Sequence, residues 1–143
     1  MLDRVAGAGG LVMATFVPDF ISEASRAWTA PFKDEWGKTR SDLKGDWKTI
    51  LTKHAKAAGP WPRGDLTQYC DHLDYLRGRI GADHIGIGSD FYGGPQGAGL
   101  EDASCFPAVF AELMARGWSD EDLAKLASGN ILRVMREVEK AAR

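Results

Sequence analysis

The sequence predicts an α/β fold with parallel strands, on three observations. Two short and nearly continuous apolar runs, Leu11 to Val17 and Ile85 to Ser89, have the composition of strands buried on both faces. The span between them, residues 18 to 83, is too long for a plain crossover and carries helical periodicity. Beyond a glycine-rich stretch, Gly93 to Gly99, the pattern is helical to the end of the chain. No internal repeat, low-complexity tract or linker interrupts residues 1–143, so a single unit is expected.

Leu2, Val5 and Ala6 read as the tail of a helix stopped by Gly7 to Gly10, so the chain is expected to open within a fold. The first strand, Leu11 to Val17, is closed by Pro18 and Asp19. Leu43, Trp47, Ile50, Leu51 and His54 then recur at helical spacing, with Lys44, Lys48, Lys53 and Lys56 on or near the wet side. Gly59-Pro60-Trp61-Pro62 breaks that helix. A second helix has Leu66, Tyr69, Cys70, Leu73, Leu76 and Ile80 in register, and leads through Asp83 and His84 into the second strand. Pro107 suits the first turn of a helix carrying Val109, Phe110, Leu113 and Met114, which Gly117 stops. Ser119 with Asp122 forms a capping pair before Leu123 and Leu126. Asn130 is expected to cap a last helix with Ile131, Val134, Met135 and Val138 on one side.

Composition removes several function classes. With 44% hydrophobic and 27% charged residues the chain can bury a core, and a net charge of −2 supplies no field to draw nucleic acid or an anionic membrane. No apolar run approaches the roughly 20 residues of a membrane span, and the first residues have no signal-peptide character, so a cytoplasmic protein is expected. Cys70 and Cys105 make no disulfide framework and no C-x-x-C pair.

Functional groups of parallel α/β proteins gather where the strands end at their carboxyl side. The first strand offers Thr15, Asp19 and Ser22 there, and the second offers Ser89 and Asp90. Asp90 follows the small-residue run G-I-G-S, and is either a functional carboxylate or a helix cap or turn former; for Asp19, after a proline, turn chemistry is the plainer role. His84 opens the strand that Asp90 closes, so at about 3.3 Å per residue the two lie about 20 Å apart and share no ion. His54 and His72 lie in helices, where a hydrogen-bonded structural histidine is the plainer role; no H-E-x-x-H pattern occurs, and no H-x-H or H-x-D pair stands where it could open a metal site at the end of a first strand. No metal ligand is therefore assigned within the chain. Gly93 to Gly99 lacks the spacing of a phosphate cradle and reads as a mobile loop beside the crevice. The tryptophans, Trp28, Trp36, Trp47, Trp61 and Trp118, are scattered rather than set as a stacking platform.

A family resemblance rests on a series of segments in order: Gly10-Leu11-Val12-Met13 with Phe16 and Phe20-Ile21-Ser22; Asp71-His72-Leu73-Asp74-Tyr75; and Gly81-Ala82-Asp83-His84-Ile85-Gly86-Ile87-Gly88-Ser89-Asp90-Phe91. Gly99-Leu100-Glu101-Asp102, Gly117-Trp118-Ser119 and Gly129-Asn130-Ile131-Leu132-Arg133-Val134 complete it. In this order they resemble the last third of the renal (membrane) dipeptidase family of zinc metallopeptidases. The resemblance implies the C-terminal part of a (β/α)8 TIM barrel, its last two strands plus helices, and hence an incomplete barrel. It implies a dipeptide substrate, a binuclear zinc cofactor, a homodimer as the assembly, and for Asp90 the role of a catalytic, substrate-binding and proton-handling residue. Where family members commonly continue S-D-F-D-G, this chain has Tyr92, which leaves the surroundings of Asp90 less acidic. The family's zinc ligands belong to earlier strands that this chain does not contain, so the chain alone is expected to be inactive.

Overall fold

The structure, a computed structural model, describes residues 1–32 and 47–142. A two-stranded parallel sheet, β1 (Val12–Ala14) and β2 (Ile85–Ile87), pairs Val12 with Ile85, Met13 with Gly86 and Ala14 with Ile87. Helix α1 (Leu2–Gly7) precedes it. Between the strands lie α2 (Pro18–Ile21), α3 (Glu23–Thr29), α4 (Trp47–Ala58) and α5 (Leu66–Ile80). After β2 come α6 (Phe106–Ala115), α7 (Asp120–Ala124), a π turn (Lys125–Gly129) and α8 (Asn130–Ala141). The expected α/β class is observed, helix-rich with a small parallel sheet. Both strands are shorter than their apolar runs; past the last pair, Gly88 N still donates to Ala14 O at 2.8 Å, whereas Phe16 N reaches Ser89 O only at 3.4 Å.

The two faces of the sheet differ. Ala14, Phe16 and Ile85 join a buried core with Tyr69, Leu73, Leu76 and Ile80 of α5 and Val109 and Leu113 of α6. Tyr69 also donates its hydroxyl to Ala14 O at 3.2 Å, fixing α5 across β1. On the other face Met13 lies across β2. A Cβ at residue 86 would stand 2.7 Å from Met13 Sδ, and one at residue 88 would stand 3.0 Å from Met13 Cβ, so the glycines of G-I-G-S-D are what allow the methionine to cross.

Helix boundaries follow local chemistry. Asp65 accepts from Gln68 N at 2.9 Å and caps α5, and the Ser119 hydroxyl accepts from Asp122 N at 3.1 Å as the capping pair predicts. Pro107 lies in the first turn of α6. Of the lysine-bearing helix, Leu43 and Lys44 lie outside the described residues, as do Trp36 and the side chains of Trp47 and Lys48. In the part described, Ile50 is buried and Lys53 and Lys56 are exposed. At the far end, Ile131 and Val134 are half-buried, but Met135 and Val138 stay exposed because α8 runs out beyond the sheet.

Asn130 is a correction. It caps no helix: its backbone is itself helical, with φ −68° and ψ −46°, and α7 runs through the π turn into α8 without a break. The side chain is buried and donates to Ala82 O at 2.6 Å and Ile85 O at 2.8 Å. Inserting one residue into the helical repeat rotates the succeeding turns, which brings Asn130 onto the start of β2.

Candidate functional site

The segments that carry the resemblance separate by the end of the sheet they serve. At the amino end, Arg133 donates to Gly9 O at 2.7 Å and Asp83 O at 2.8 Å, His84 Nδ1 donates to Gly10 O at 2.8 Å, and Asn130 holds the carbonyls already named. The G-N-I-L-R-V segment thus ties the last helix to both strand entrances. His84 is a structural histidine here. On the helix layer, Arg116 pairs with Asp71 at 2.7 Å, Asp74 at 2.9 Å and Glu112 at 2.8 Å, while Trp118 Nε1 donates to Asp74 at 2.7 Å. That accounts for both acids of D-H-L-D-Y by packing α5 against the end of α6.

At the carboxyl end of β1, Asp19 accepts from Ser25 Oγ at 2.7 Å and Thr29 Oγ1 at 2.5 Å, and Trp61 Nε1 donates to Ser25 Oγ at 2.8 Å. Its carboxylate is engaged on both oxygens and ties α2 to α3, a role that goes beyond a turn. Ser22 caps α3, accepting from Ser25 N. Thr15 keeps a buried hydroxyl with no hydrogen-bond partner among the described residues. Asp19→Ala would strand two hydroxyls, one on the fully buried Ser25, and is expected to cost about 1–3 kcal/mol in urea unfolding, with the m-value unchanged.

Asp90 stands at the carboxyl end of β2 and is exposed. Among the acids of these segments, Asp71 and Asp74 pair with Arg116, Asp83 with Lys125 at 2.9 Å, Glu101 with Arg63 at 3.5 Å, and Asp102 caps Ser104 N at 2.8 Å. Among the described residues the Asp90 carboxylate alone of this set takes part in no hydrogen bond or ion pair. Its backbone is held in the left-handed region, φ 58°, where no other described non-glycine residue lies. For an L-residue that costs roughly 1–2 kcal/mol, so the surroundings must hold it there. On one side Phe91 packs against Phe16 and Phe106, at ring separations of 5.6 and 6.1 Å. On the other, Gly93 N donates to Asp90 O at 3.0 Å, and the carboxylate lies against the Cα of Gly93, where a Cβ would meet Asp90 Oδ1 at 3.0 Å. Tyr92 projects fully into solvent.

The loop after Asp90 is bonded to its neighbours at its far end. Gly97 N donates to Phe16 O at 3.2 Å, Ala98 N to Gly64 O at 2.8 Å and Leu66 N to Ala98 O at 3.1 Å, so residues 97–98 are stitched to both β1 and the start of α5. Gln96 is almost completely buried. Nothing in the sequence singled it out, because its partners are backbone carbonyls and a lone glutamine among glycines has no periodicity to betray it.

The described residues do not fit a zinc centre. Among them no three His, Cys, Asp or Glu side chains gather as metal ligands. Burial pushes the Cys70 thiol up to about 12 and raises Cys105 as well, so both are neutral core thiols rather than thiolate ligands. Burial likewise lowers the pKa of His72 and favours its neutral ring.

Comparison with known proteins gives the family. The family model for membrane dipeptidase, peptidase family M19, matches residues 1–143. Human Dipeptidase 3 is 44% identical over 77 residues, which is 53% of this chain and 16% of that protein. Dipeptidase verJ of Clonostachys rogersoniana is 41% identical over 95 residues, 66% of this chain and 24% of that protein. The crystal structure of the probable dipeptidase PvdM from Pseudomonas aeruginosa superposes with a TM-score of 0.70 at 28% identity, over 97% of this chain and 40% of that one. The chain therefore spans less than half the length of each of these relatives. With every segment of the resemblance in place and the match running from the first residue to the last, the chain belongs to the membrane dipeptidase family, peptidase family M19.

Proposed function

We propose that residues 1–143 are the C-terminal part of a (β/α)8 barrel and contribute the last-strand aspartate, Asp90, to a zinc-dependent dipeptidase. One observation carries the reading: of all the acids in the segments of the resemblance, Asp90 is the one that engages no partner among the described residues and is exposed, at the end of the sheet where barrel enzymes place their chemistry. A free carboxylate there can hold the ammonium group of a dipeptide by a charge-assisted hydrogen bond, or take up a proton from an attacking water. The carboxylates tied to Arg116 could do neither without breaking an existing pair. The described residues gather no ligand set, and the resemblance puts the family's zinc ligands on earlier strands than those of residues 1–143.

The isolated chain is accordingly expected to show no dipeptidase turnover with added zinc, in an assay of free amino acid release. Turnover that Asp90→Ala abolishes would show that the chain is self-sufficient and would overturn the proposal. A second reading, an inactive α/β module that associates through the open face of the sheet, draws on Met13, 41% exposed on that face. Coding sequence before Met1 separates the two: an in-frame extension with an H-x-D pair and further strand-end histidines supports the dipeptidase. Its absence, together with soluble monomeric expression of the chain, supports the module.

A further inference from the structure

We infer that Gln96 is a positioning residue for Asp90, gripping its carbonyl so that the carboxylate is aimed from a fixed backbone. The inference rests on the reading of Asp90 as the substrate-facing acid. Gln96 is 3% exposed, and its Nε2 donates to Asp90 O at 2.9 Å and to Gly94 O at 3.1 Å. The reverse orientation of the amide would set an oxygen against two carbonyl oxygens, so only this one makes bonds.

The grip reaches between the strands. The residue after Gln96 is anchored just past β1 through Gly97 N and Phe16 O, while the Gln96 side chain reaches back to the segment just past β2. The direction of Asp90 is thereby set by both strand ends rather than by its own strand alone. Gln96 also buries its Oε1 with no hydrogen-bond partner among the described residues. A buried acceptor left unpaired is unfavourable, and a methionine of similar length would fill the space without it. What the glutamine supplies and methionine cannot is a pair of donors, and both are spent on the turn that bears Asp90.

The test compares Gln96→Met and Gln96→Glu with the parent 143-residue chain. Nitrogen-15 relaxation gives the order of the Asp90 and Phe91 amides, the carbon-13 signal of the Asp90 carboxyl reports its surroundings, and thermal melting reports the fold. In the parent the two amides should have order parameters near those of rigid backbone, about 0.85. Gln96→Met should drop them toward about 0.6 and shift the carboxyl signal while the core amides of α5 are unchanged. Gln96→Glu presents a carboxylate to two carbonyls at neutral pH but regains one donor when protonated. Order at Asp90 should therefore return as pH falls and be lost again as it rises, a reversible signature that space-filling alone would not produce. If Gln96→Met fails to fold, the acid and neutral states of Gln96→Glu still decide the matter. Unchanged order in Gln96→Met, or a pH-independent Gln96→Glu, would overturn the positioning role. Neither outcome touches the assignment of Asp90, which is judged separately by turnover.

Discussion

On the function proposed above, Asp90→Asn is expected to lower kcat by about 10²–10⁴-fold in a dipeptidase that contains residues 1–143. The magnitude is that of removing a positioned proton-handling group. Its specificity comes from what the substitution leaves alone. Asparagine is nearly the shape of aspartate and, like it, tolerates the left-handed region, so φ 58° and the bonds to Asp90 O should survive. No ion pair or side-chain hydrogen bond is broken, because among the described residues the carboxylate makes none. Stability should therefore stay within about 0.5 kcal/mol of the parent, as for an exposed surface change. Activity and folding are thus predicted to part company at this residue, and equal loss of both in matched kinetic and melting measurements would refute the assignment.

The backbone supplies an internal control. Asp90→Gly and Asp90→Ala both remove the carboxylate, but glycine adopts positive φ freely and alanine does not. Alanine should be less stable than glycine by roughly 1–2 kcal/mol while the two are equally inactive. If alanine were the more active of the pair, the carboxylate would not be the group that matters.

How much of the fold and the site was legible in the sequence depends on the kind of partner each residue has. Leu66, Tyr69, Leu73, Leu76 and Ile80 announced α5 because their partners are other apolar side chains, and burial repeats every turn. Asp90 could be placed at a strand end because an apolar run stops there. That its carboxylate has no partner among the described residues could not be read, since that depends on Arg116, Lys125 and Arg63 being committed to other acids far away in sequence. Asn130, Arg133, His84 and Gln96 all bind backbone carbonyls, and carbonyls carry no sequence label. The π turn did leave a trace: the apolar positions step from Leu126 to Ile131, five residues rather than three or four, where an asparagine suggested a fresh helix start instead.

Asn130→Asp separates those two accounts most sharply and is expected to be the most destabilising single change at the amino end of the sheet. A helix cap would accept aspartate as readily as asparagine, because either side-chain oxygen can receive a backbone N–H. In the observed geometry the side chain must donate, to Ala82 O and Ile85 O, and a carboxylate has nothing to give. Asn130→Ala, which merely removes the donors, should cost roughly 2–4 kcal/mol by leaving two carbonyls short of a partner, one of them on the fully buried Ile85. Against a total stability of about 5–15 kcal/mol for a domain, that is a large fraction. Asn130→Asp should cost more at neutral pH, since a buried charge would face two carbonyl oxygens. Burial and those oxygens would raise the carboxyl pKa in the folded state above its unfolded value. The folded state then binds the proton more tightly, so stability should recover as pH falls and be lost as pH rises through the folded pKa. Urea unfolding of both variants across that range gives the answer: a stable Asn130→Asp with no such pH trend would restore the cap and remove the staple between α8 and β2.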